Sequence, residues 1–340
     1  MRRTYAQSEQ AAQGIALVTA LQGRFVCALE KQGGKPFQEV EWFRDEGRHG
    51  GGQRFGVEDT ELLGRASVNV SQVHYEDDPG RRLGSASAIS TIVHPAHPLA
   101  PSVHIHISWT EQKIGSGYWR IMADLNPSIV NVADKERFAE ALRQAAPHHF
   151  DEAVAQGDRY FFIPALGRHR GVIHFYLENF NSGDFAADLA LAQRVGEAAI
   201  DAYVAILADA VLAASEPTAE QAAFQLAYHT LYFFQVLTLD RGTTTGLLVH
   251  DQNDVGILGS LPPRIDKNLL SSWRSRMVSL QERLLDKLLA SLPNEGVCTI
   301  DEAVKQKLAD AVRAHYRKFP DALDLQASGN STPPTIDNHR

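Results

Sequence analysis

The hydrophobic pattern of this chain changes from a helical period to an alternating one within the first third of the sequence. Residues 7–31 carry apolar side chains at helical spacing, which predicts an amphipathic opening helix. Residues 67–109 carry short apolar runs, of which 68–70 and 103–109 alternate with the period of a strand. The glycine triplet at 50–52 lies between these regions and predicts an irregular backbone there.

The rest of the chain mixes predicted strands and helices without strict βαβ alternation. This order favours an α+β fold, with a large, mainly antiparallel β-sheet flanked by α-helices on both faces, as a single domain over 1–327. Residues 328–340 are polar and rich in Pro, Ser and Asn, so we expect a disordered tail. The later predicted strands lie at 117–124, 170–177, 231–240, 243–248 and 255–261. The predicted helices lie at 134–146, 150–156, 184–214, 220–228, 268–292 and 301–316.

Charge and cysteine content restrict the class of protein. The 340 residues carry a net charge of −8, which argues against nucleic acid as a partner. Cys27 and Cys298 cannot form a disulfide framework, and they fit a reducing cytoplasm. Every apolar run falls short of the ~18 residues of a transmembrane helix. We therefore expect a cytoplasmic protein without membrane insertion.

The histidines form the densest group of chemically active side chains. His104 and His106 stand two residues apart in a predicted strand, so both imidazoles point to one face of it. They are either edge residues facing solvent or, with His94 on the preceding strand, a metal-binding or proton-handling group. His174 stands alone in an apolar strand, where a hydrogen-bonded core histidine is the favoured interpretation.

Asp124 is a second candidate, at the end of a predicted strand. Its carboxylate either caps a turn or helix or acts as a general base. The glycine triplet lacks the Lys-Ser/Thr of a phosphate-binding loop, and no G-x-G-x-x-G follows a strand. We therefore expect no flavin or nicotinamide, and the residues leave open a chemistry without a bound organic cofactor.

A series of short motifs resembles the oxygen-dependent coproporphyrinogen III oxidase family. Each motif is weak alone, but all occur in the family's order, and the common order is specific for the family fold. In chain order they are Gly50-Gly-Gly, Val68-Asn-Val-Ser-Gln-Val-His, Ser90-Thr-Ile-Val-His-Pro, Pro101-Ser-Val-His, Asp124-Leu-Asn-Pro, Arg170-Gly, Asn179-Phe-Asn, Asp240-Arg-Gly-Thr and Ser260-Leu-Pro-Pro.

The resemblance implies an oxidoreductase of haem biosynthesis that uses O2 as co-substrate for the oxidative decarboxylation of propionate side chains. It implies a small-molecule substrate, and together with the apolar segment 231–239 it predicts a homodimer with its interface in the C-terminal half. By the same resemblance, His104 is a proton donor and Asp124 a base. The residues predicted to contact the substrate are Ser90, His106, Asp240 and Arg241. A divalent transition metal is predicted on His94, His104, His106 and His174.

The sequence departs from the family at positions that bind the substrate. Ser108 and Asn253 stand where the family has arginines, and neither can replace a bidentate guanidinium. We therefore expect weak or absent turnover of coproporphyrinogen III, unless Arg54, Arg120 or Arg170 points into the site. Two alternatives stay open: O2-dependent oxidation of another small molecule or peptide, and a non-catalytic tetrapyrrole- or metal-binding protein.

Overall fold

The computed structural model describes residues 1–33, 35–213, 215–329 and 336. The predicted disordered tail therefore lies mostly outside the described residues. The described strands are β1 (Gln38–Phe43), β2 (Gly50–Glu58), β3 (Leu63–His74), β4 (Leu83–Pro95), β5 (Ser102–Gln112), β6 (Tyr118–Asn126), β7 (Phe162–Ile163), β8 (Arg168–His169), β9 (Ile173–Phe180), β10 (Arg264–Asp266) and β11 (Val297–Thr299).

The helices occur in two groups, before and after the last long strand. They are α1 (Glu9–Gly33), α2 (Val132–Ala145), α3 (Phe150–Phe161), α4 (Phe185–Leu212), α5 (Ala219–Thr238), α6 (Arg241–Val249), α7 (Asp254–Ile257), α8 (Lys267–Ser272), α9 (Ser279–Ser291) and α10 (Glu302–Lys318). Short 3-10 segments lie at Asp45–Gly47, Pro164–Leu166, Leu258–Ser260, Arg274–Arg276 and Pro320–Leu325.

An antiparallel sheet organises the described part of the chain. Its seven strands run in the order β1-β2-β3-β4-β5-β6-β9. Helices α1 and α4 pack on one face, and α5 to α7 face the other, with α3 along β9 at the edge. The predicted α+β class, with helices on both faces of an antiparallel sheet, is confirmed.

The two faces of the sheet differ in polarity because side chains alternate along each strand. On β5, Ile105 and Ile107 point into the main core with α1 and α4. His104, His106 and Ser108 of the same strand point to the opposite face. A second apolar core, formed mainly by α5, α9 and α10, lies beyond that face. The space between the polar face and this second core holds the site described below.

Helix α1 satisfies, by length and composition alone, the requirements of a membrane span, contrary to the expectation from apolar run length. Its Val18, Leu21, Phe25 and Leu29 are buried against the sheet and α4. The helix is therefore apolar because it packs in the core of the protein.

Helix α5 corrects the prediction for residues 231–240. This segment is not a central strand, because it continues a helix that begins at a capping box of Thr218 and Gln221. Its side chains are buried on all sides, between the sheet and the second core, so the helical period of polar positions is absent. The apolar residues 231–239 fill this chain's own core and are not available to a dimer interface.

Further predictions in the C-terminal half were also wrong. The segments predicted as strands at 243–248 and 255–261 form α6, α7 and a 3-10 turn, and the single helix at 268–292 is broken into α8 and α9. In the N-terminal half, the glycine triplet begins β2, and Gly50 has a φ of +87°, so the predicted irregular backbone occurs at the start of a strand. A Cβ at Gly52 would lie 2.4 Å from the indole nitrogen of Trp42, so close packing explains the need for glycine there.

Candidate active site

A cavity of about 260 Å³ lies between the polar face of the sheet and helices α5 to α7. It brings together four of the residues predicted from sequence: Ser90, His104, His106 and Asp240. A second cavity of about 450 Å³, beside His229, contains none of the predicted residues. The chemistry-bearing side chains therefore place the candidate site in the cavity beside the sheet.

His104 and Asp124 form a pair at one end of this cavity. They are direct partners across β5 and β6, and His104 Nδ1 lies 2.8 Å from Asp124 Oδ1. Because an ionised carboxylate only accepts hydrogen bonds, Nδ1 carries the proton in this pair. Nε2 of His104 then has a lone pair, and it has no hydrogen-bond partner among the described residues. The imidazole can take a proton from a molecule in the cavity.

Asp124 is fully buried behind His104 and does not line the cavity. Its Oδ2 accepts from Nδ2 of Asn126 at 2.6 Å and from the guanidinium of Arg170. Burial raises the pKa of Asp124, but Arg170 and His104 outweigh burial and hold the pKa well below its usual range. The carboxylate is therefore an anion that is hydrogen-bonded to His104 and lies outside the cavity lining.

Arg170, which donates to Asp124, is itself fixed by several contacts. Its Nη1 donates to Oε1 of Gln235 at 2.8 Å, and its guanidinium lies over the rings of Phe161 and Tyr232. A Cβ at Gly171 would lie 2.5 Å from the Leu125 carbonyl, so glycine is needed where this segment crosses the end of β6.

His106 occupies the middle of the cavity wall. It is the cross-strand partner of Ser90 on β4 and of Met122 on β6, and its Nε2 lies 3.1 Å from Oγ of Ser108. Burial, followed by Arg120 and His104, lowers its pKa to about 3. His106 is therefore neutral at physiological pH and can offer a hydrogen bond but not a charge.

Asp240 lines the cavity from the helical side. It caps α6 by accepting from the Thr243 amide at 2.7 Å, and its Oδ1 accepts from the Tyr160 hydroxyl at 2.8 Å. Burial raises its pKa, and the bonds to Thr243 and Tyr160 outweigh burial and lower it. The side chain is an anion fixed in place, able to accept a bond from a substrate N–H.

Arg241 is placed differently from its predicted substrate contact. Its guanidinium forms an ion pair with Glu178, which is buried and also accepts from the Tyr176 hydroxyl at 2.6 Å. Arg241 is absent from the cavity lining. The ion pair ties α6 to β9. The substrate contact of Arg241 stays a prediction.

The four histidines predicted as metal ligands share one face of the sheet but serve different partners. His94 is bonded at both nitrogens, to Oγ of Ser102 and to the Ser260 carbonyl, each at 3.0 Å. His174 bonds Asp158 through Nδ1 at 2.8 Å and accepts from the Gly171 amide.

In the residues that the structure describes, no group of three or more His, Cys, Asp or Glu side chains is placed to hold a metal ion. The predicted ligand set does not fit a metal site in this arrangement.

Sequence reasoning named Arg120 only as a possible substitute for the missing arginines and did not name Tyr160 or Tyr232, although all three line the cavity. Arg120 was visible as a charged residue inside a predicted strand. Tyr232 was hidden because its helix resembles a strand in sequence, and Tyr160 because a tyrosine at a helix end carries no distinctive pattern.

Comparison with known proteins relates this chain to a family. A family model described as coproporphyrinogen III oxidase matches residues 14–291. The oxygen-dependent coproporphyrinogen-III oxidase of Rickettsia akari (strain Hartford) is 30% identical over 249 residues, covering 68% of this chain and 85% of that protein. The protein of the same name from Rickettsia bellii (strain OSU 85-389) is 30% identical over 246 residues, covering 67% and 84%.

Proposed function

The chain belongs to the coproporphyrinogen III oxidase family, and we propose that it is an oxygen-dependent oxidoreductase. Its reaction is the oxidative decarboxylation of a propionate side chain on a pyrrole-type ring, in coproporphyrinogen III or a related molecule. The family match supports the reaction class and O2 as co-substrate. The residues of the cavity support the assignment of roles.

The observation that carries this proposal is the His104–Asp124 pair, with Nε2 of His104 unbonded at the cavity wall. A base that removes a proton must lie within reach of the substrate, and of the two residues only His104 does. Asp124 fixes the tautomer and stabilises the imidazolium that forms, because its negative charge lies 2.8 Å away. The predicted base role of Asp124 is thus reassigned to His104 in this proposal.

The reaction balances without a bound organic cofactor. The propionate loses CO2 from one carbon and a hydrogen from the next, which leaves a vinyl group. Two electrons pass from the electron-rich ring system to O2, and two protons complete H2O2. The residues of this chain supply the acceptor for one proton, His104, and a fixed anion, Asp240, that can hold a ring N–H.

The cavity walls suit a partly polar ring system. Neutral hydroxyl and amide groups line the floor, and Met122, Val236 and Ile257 provide apolar contact. Such walls exclude water from the reacting carbon, so that a proton leaves to His104 and not to solvent. No step in this scheme is routed through a metal, because the predicted ligands do not come together as a metal site among the described residues.

Two further parts of the proposal rest on the family and not on the cavity. We propose a cytoplasmic homodimer, whose interface must lie outside the buried segment 231–239. Light scattering at micromolar concentration tests the oligomeric state, and a monomer mass would contradict the proposed homodimer.

The function is tested by adding the protein to coproporphyrinogen III with and without air. We expect O2 uptake, CO2 release and a product lighter by CO2 and two hydrogens for each propionate. No product in air, with the substrate nonetheless bound, would replace the enzyme by a non-catalytic tetrapyrrole-binding protein. No binding at all would favour a substrate of another kind.

A further inference from the structure

The second cavity, of about 450 Å³, lies beside the first half of α5 and takes no part in the proposed reaction. One face of the helix forms a wall of this cavity through Ala222, Gln225, Leu226 and His229, at the spacing i, i+3, i+4 and i+7. The end of β4 and the start of β10 contribute further walls. The volume lies within the range of about 300–1,000 Å³ that is typical of small-molecule sites.

His229 is a buried polar group in the wall of this cavity. The residue is 6% exposed, and its ring packs edge-to-face against His94 with 5.1 Å between the centroids. Among the described residues, neither ring nitrogen of His229 has a hydrogen-bond partner. Because burying a polar group without a hydrogen bond costs free energy, an imidazole left in this state at a cavity wall indicates that a ligand supplies the bond.

The charges that act on His229 favour an anion as that ligand. Burial, followed by the guanidiniums of Arg65 and Arg264, lowers the pKa of His229 to about 3. The imidazole is therefore neutral at physiological pH and can donate one N–H. Since both charged groups that act on the ring are cations, an anionic acceptor gains more from this position than a neutral one.

Arg264 can provide a direct charge contact, because it lines the cavity. Its side chain is about half-exposed, and the ion pair that it forms with Asp59 has 3.5 Å between Nη2 and Oδ1. This distance is longer than that of a charge-assisted hydrogen bond, and exposed ion pairs contribute little to stability. A carboxylate in the cavity can therefore compete with Asp59 for the guanidinium.

Arg65 acts on the site only through its charge. Its guanidinium donates to the backbone carbonyls of Leu261, Pro262 and Ile300 and to the Glu58 carboxylate. It does not line the cavity. The cation that can touch a ligand is therefore Arg264.

The remaining walls suit an apolar body attached to the anionic group. Leu226 of α5, Pro263 and Val297 line the cavity together with Ala222 and Pro95. Val297 is exposed, so an alkyl or aryl group in the cavity would remove apolar surface from water.

We propose that this cavity binds a small amphipathic carboxylate, with its acid group between the His229 imidazole and the Arg264 guanidinium. The imidazole donates a neutral hydrogen bond, the guanidinium supplies the opposite charge, and Leu226, Pro263 and Val297 contact the hydrocarbon part. This site goes beyond the function proposed above and does not depend on it. His94 packs against both His229 and Tyr232, so a single ring lies between a residue of this cavity and a residue of the candidate active site.

The test is a titration of the protein with hexanoate and with hexanamide, followed by NMR of the histidine ring signals. The two probes have the same chain and differ in the charge of the head group. We expect hexanoate to bind with a Kd in the millimolar range or below, and hexanamide to bind about 10-fold more weakly or worse. Arg264→Gln should weaken hexanoate by about 10-fold and leave hexanamide unchanged. His229→Phe, which keeps a ring against His94 but has no N–H, should also weaken hexanoate.

Arg137→Gln is the matched control, because Arg137 also forms an exposed ion pair, with Asp209, and lies outside the lining of both cavities. It should leave both affinities unchanged. If His229→Phe does not fold, the effect of Arg264→Gln on the two probes decides.

Three results would overturn the proposal: no detectable binding of hexanoate, equal affinity for hexanoate and hexanamide, or a hexanoate affinity that Arg264→Gln leaves unchanged. Inorganic phosphate separates an amphipathic carboxylate from a plain anion. It should bind more weakly than hexanoate because it has no apolar body, and tighter binding of phosphate would contradict the proposed ligand class.

Discussion

His104 and Asp124 face each other across β5 and β6 with 2.8 Å between Nδ1 and Oδ1, and only the histidine reaches the cavity. The sequence names both residues as candidates, as proton donor and as base. In the proposed function the histidine exchanges a proton with the substrate, and the aspartate keeps it oriented. Both the activity and the stability of the protein should depend on this pair.

Replacing His104 should remove proton transfer without removing binding. For His104→Gln we expect kcat to fall by about 10²–10⁴-fold, the usual contribution of a positioned general base. The affinity for coproporphyrinogen III without O2 should change little, because the rest of the cavity lining remains. Steady-state O2 uptake combined with anaerobic calorimetry measures both, and a loss of affinity equal to the loss of rate would contradict the assignment.

Replacing Asp124 should cost stability as well as activity. Asp124→Asn leaves the buried Arg170 guanidinium without its anion, which is expected to lower the free energy of unfolding by about 3–5 kcal/mol. The pKa of Asp124 is lower in the folded protein than in the unfolded chain. Its contribution to the free energy of unfolding is therefore complete above about pH 3.9, the pKa of an unfolded aspartate, and is lost as the pH falls below that value.

Urea denaturation measures the effect of Asp124→Asn, with Glu140→Gln as the control. Glu140 pairs with Arg143 on the surface, and removing its charge should leave the unfolding midpoint unchanged. Equal midpoint shifts in the two variants would show that the Asp124–Arg170 pair has no special role in stability.

His315 should make the protein sensitive to mild acid. It is fully buried beside the rings of Tyr316 and Phe319, and neither ring nitrogen has a hydrogen-bond partner among the described residues. Burial, with Lys287 and Arg283, lowers its pKa to about 4.

An unfolded histidine titrates near pH 6.5, so the unfolded state binds the proton first, and stability falls between that pH and about 4. At pH 5 the cost from His315 is about 2 kcal/mol relative to neutral pH. His315→Leu should remove this part of the pH dependence, and a substitution at the exposed His148 should not. Thermal unfolding at pH 5 and at neutral pH measures the difference in stability. If that difference is the same in His315→Leu as in the wild type, the prediction is contradicted.

Restoring the arginine at position 108 should not by itself restore a family-like site. Ser108→Arg places a second guanidinium directly opposite Arg120, and like charges at facing positions destabilise a sheet. We expect a loss of more than about 1 kcal/mol in the free energy of unfolding. Adding Arg120→Ser should recover most of it, and purely additive effects in this double-mutant cycle would contradict the contact.

Sequence reasoning succeeded where local pattern and fold agree. The alternation in β5 predicted that His104 and His106 share a face, and the motif order predicted the family. It failed for α5, because a helix buried on all sides loses its period and resembles a strand. The ion pair of Arg241 with Glu178 could not be predicted, since a partner across the fold is not encoded in local spacing.

The most direct measurement loads wild-type protein and His104→Gln with coproporphyrinogen III without O2, admits air, and follows the product mass over time. We predict that the wild type releases CO2 and two hydrogens per propionate only after air is admitted. We expect a kcat/KM below ~10⁴ M⁻¹s⁻¹, because position 108 has a serine where the family resemblance places an arginine. The variant should be slower by at least about 10²-fold. No mass change in air, or the same rate in both proteins, would contradict the assignment of His104 as the base of an oxygen-dependent decarboxylation.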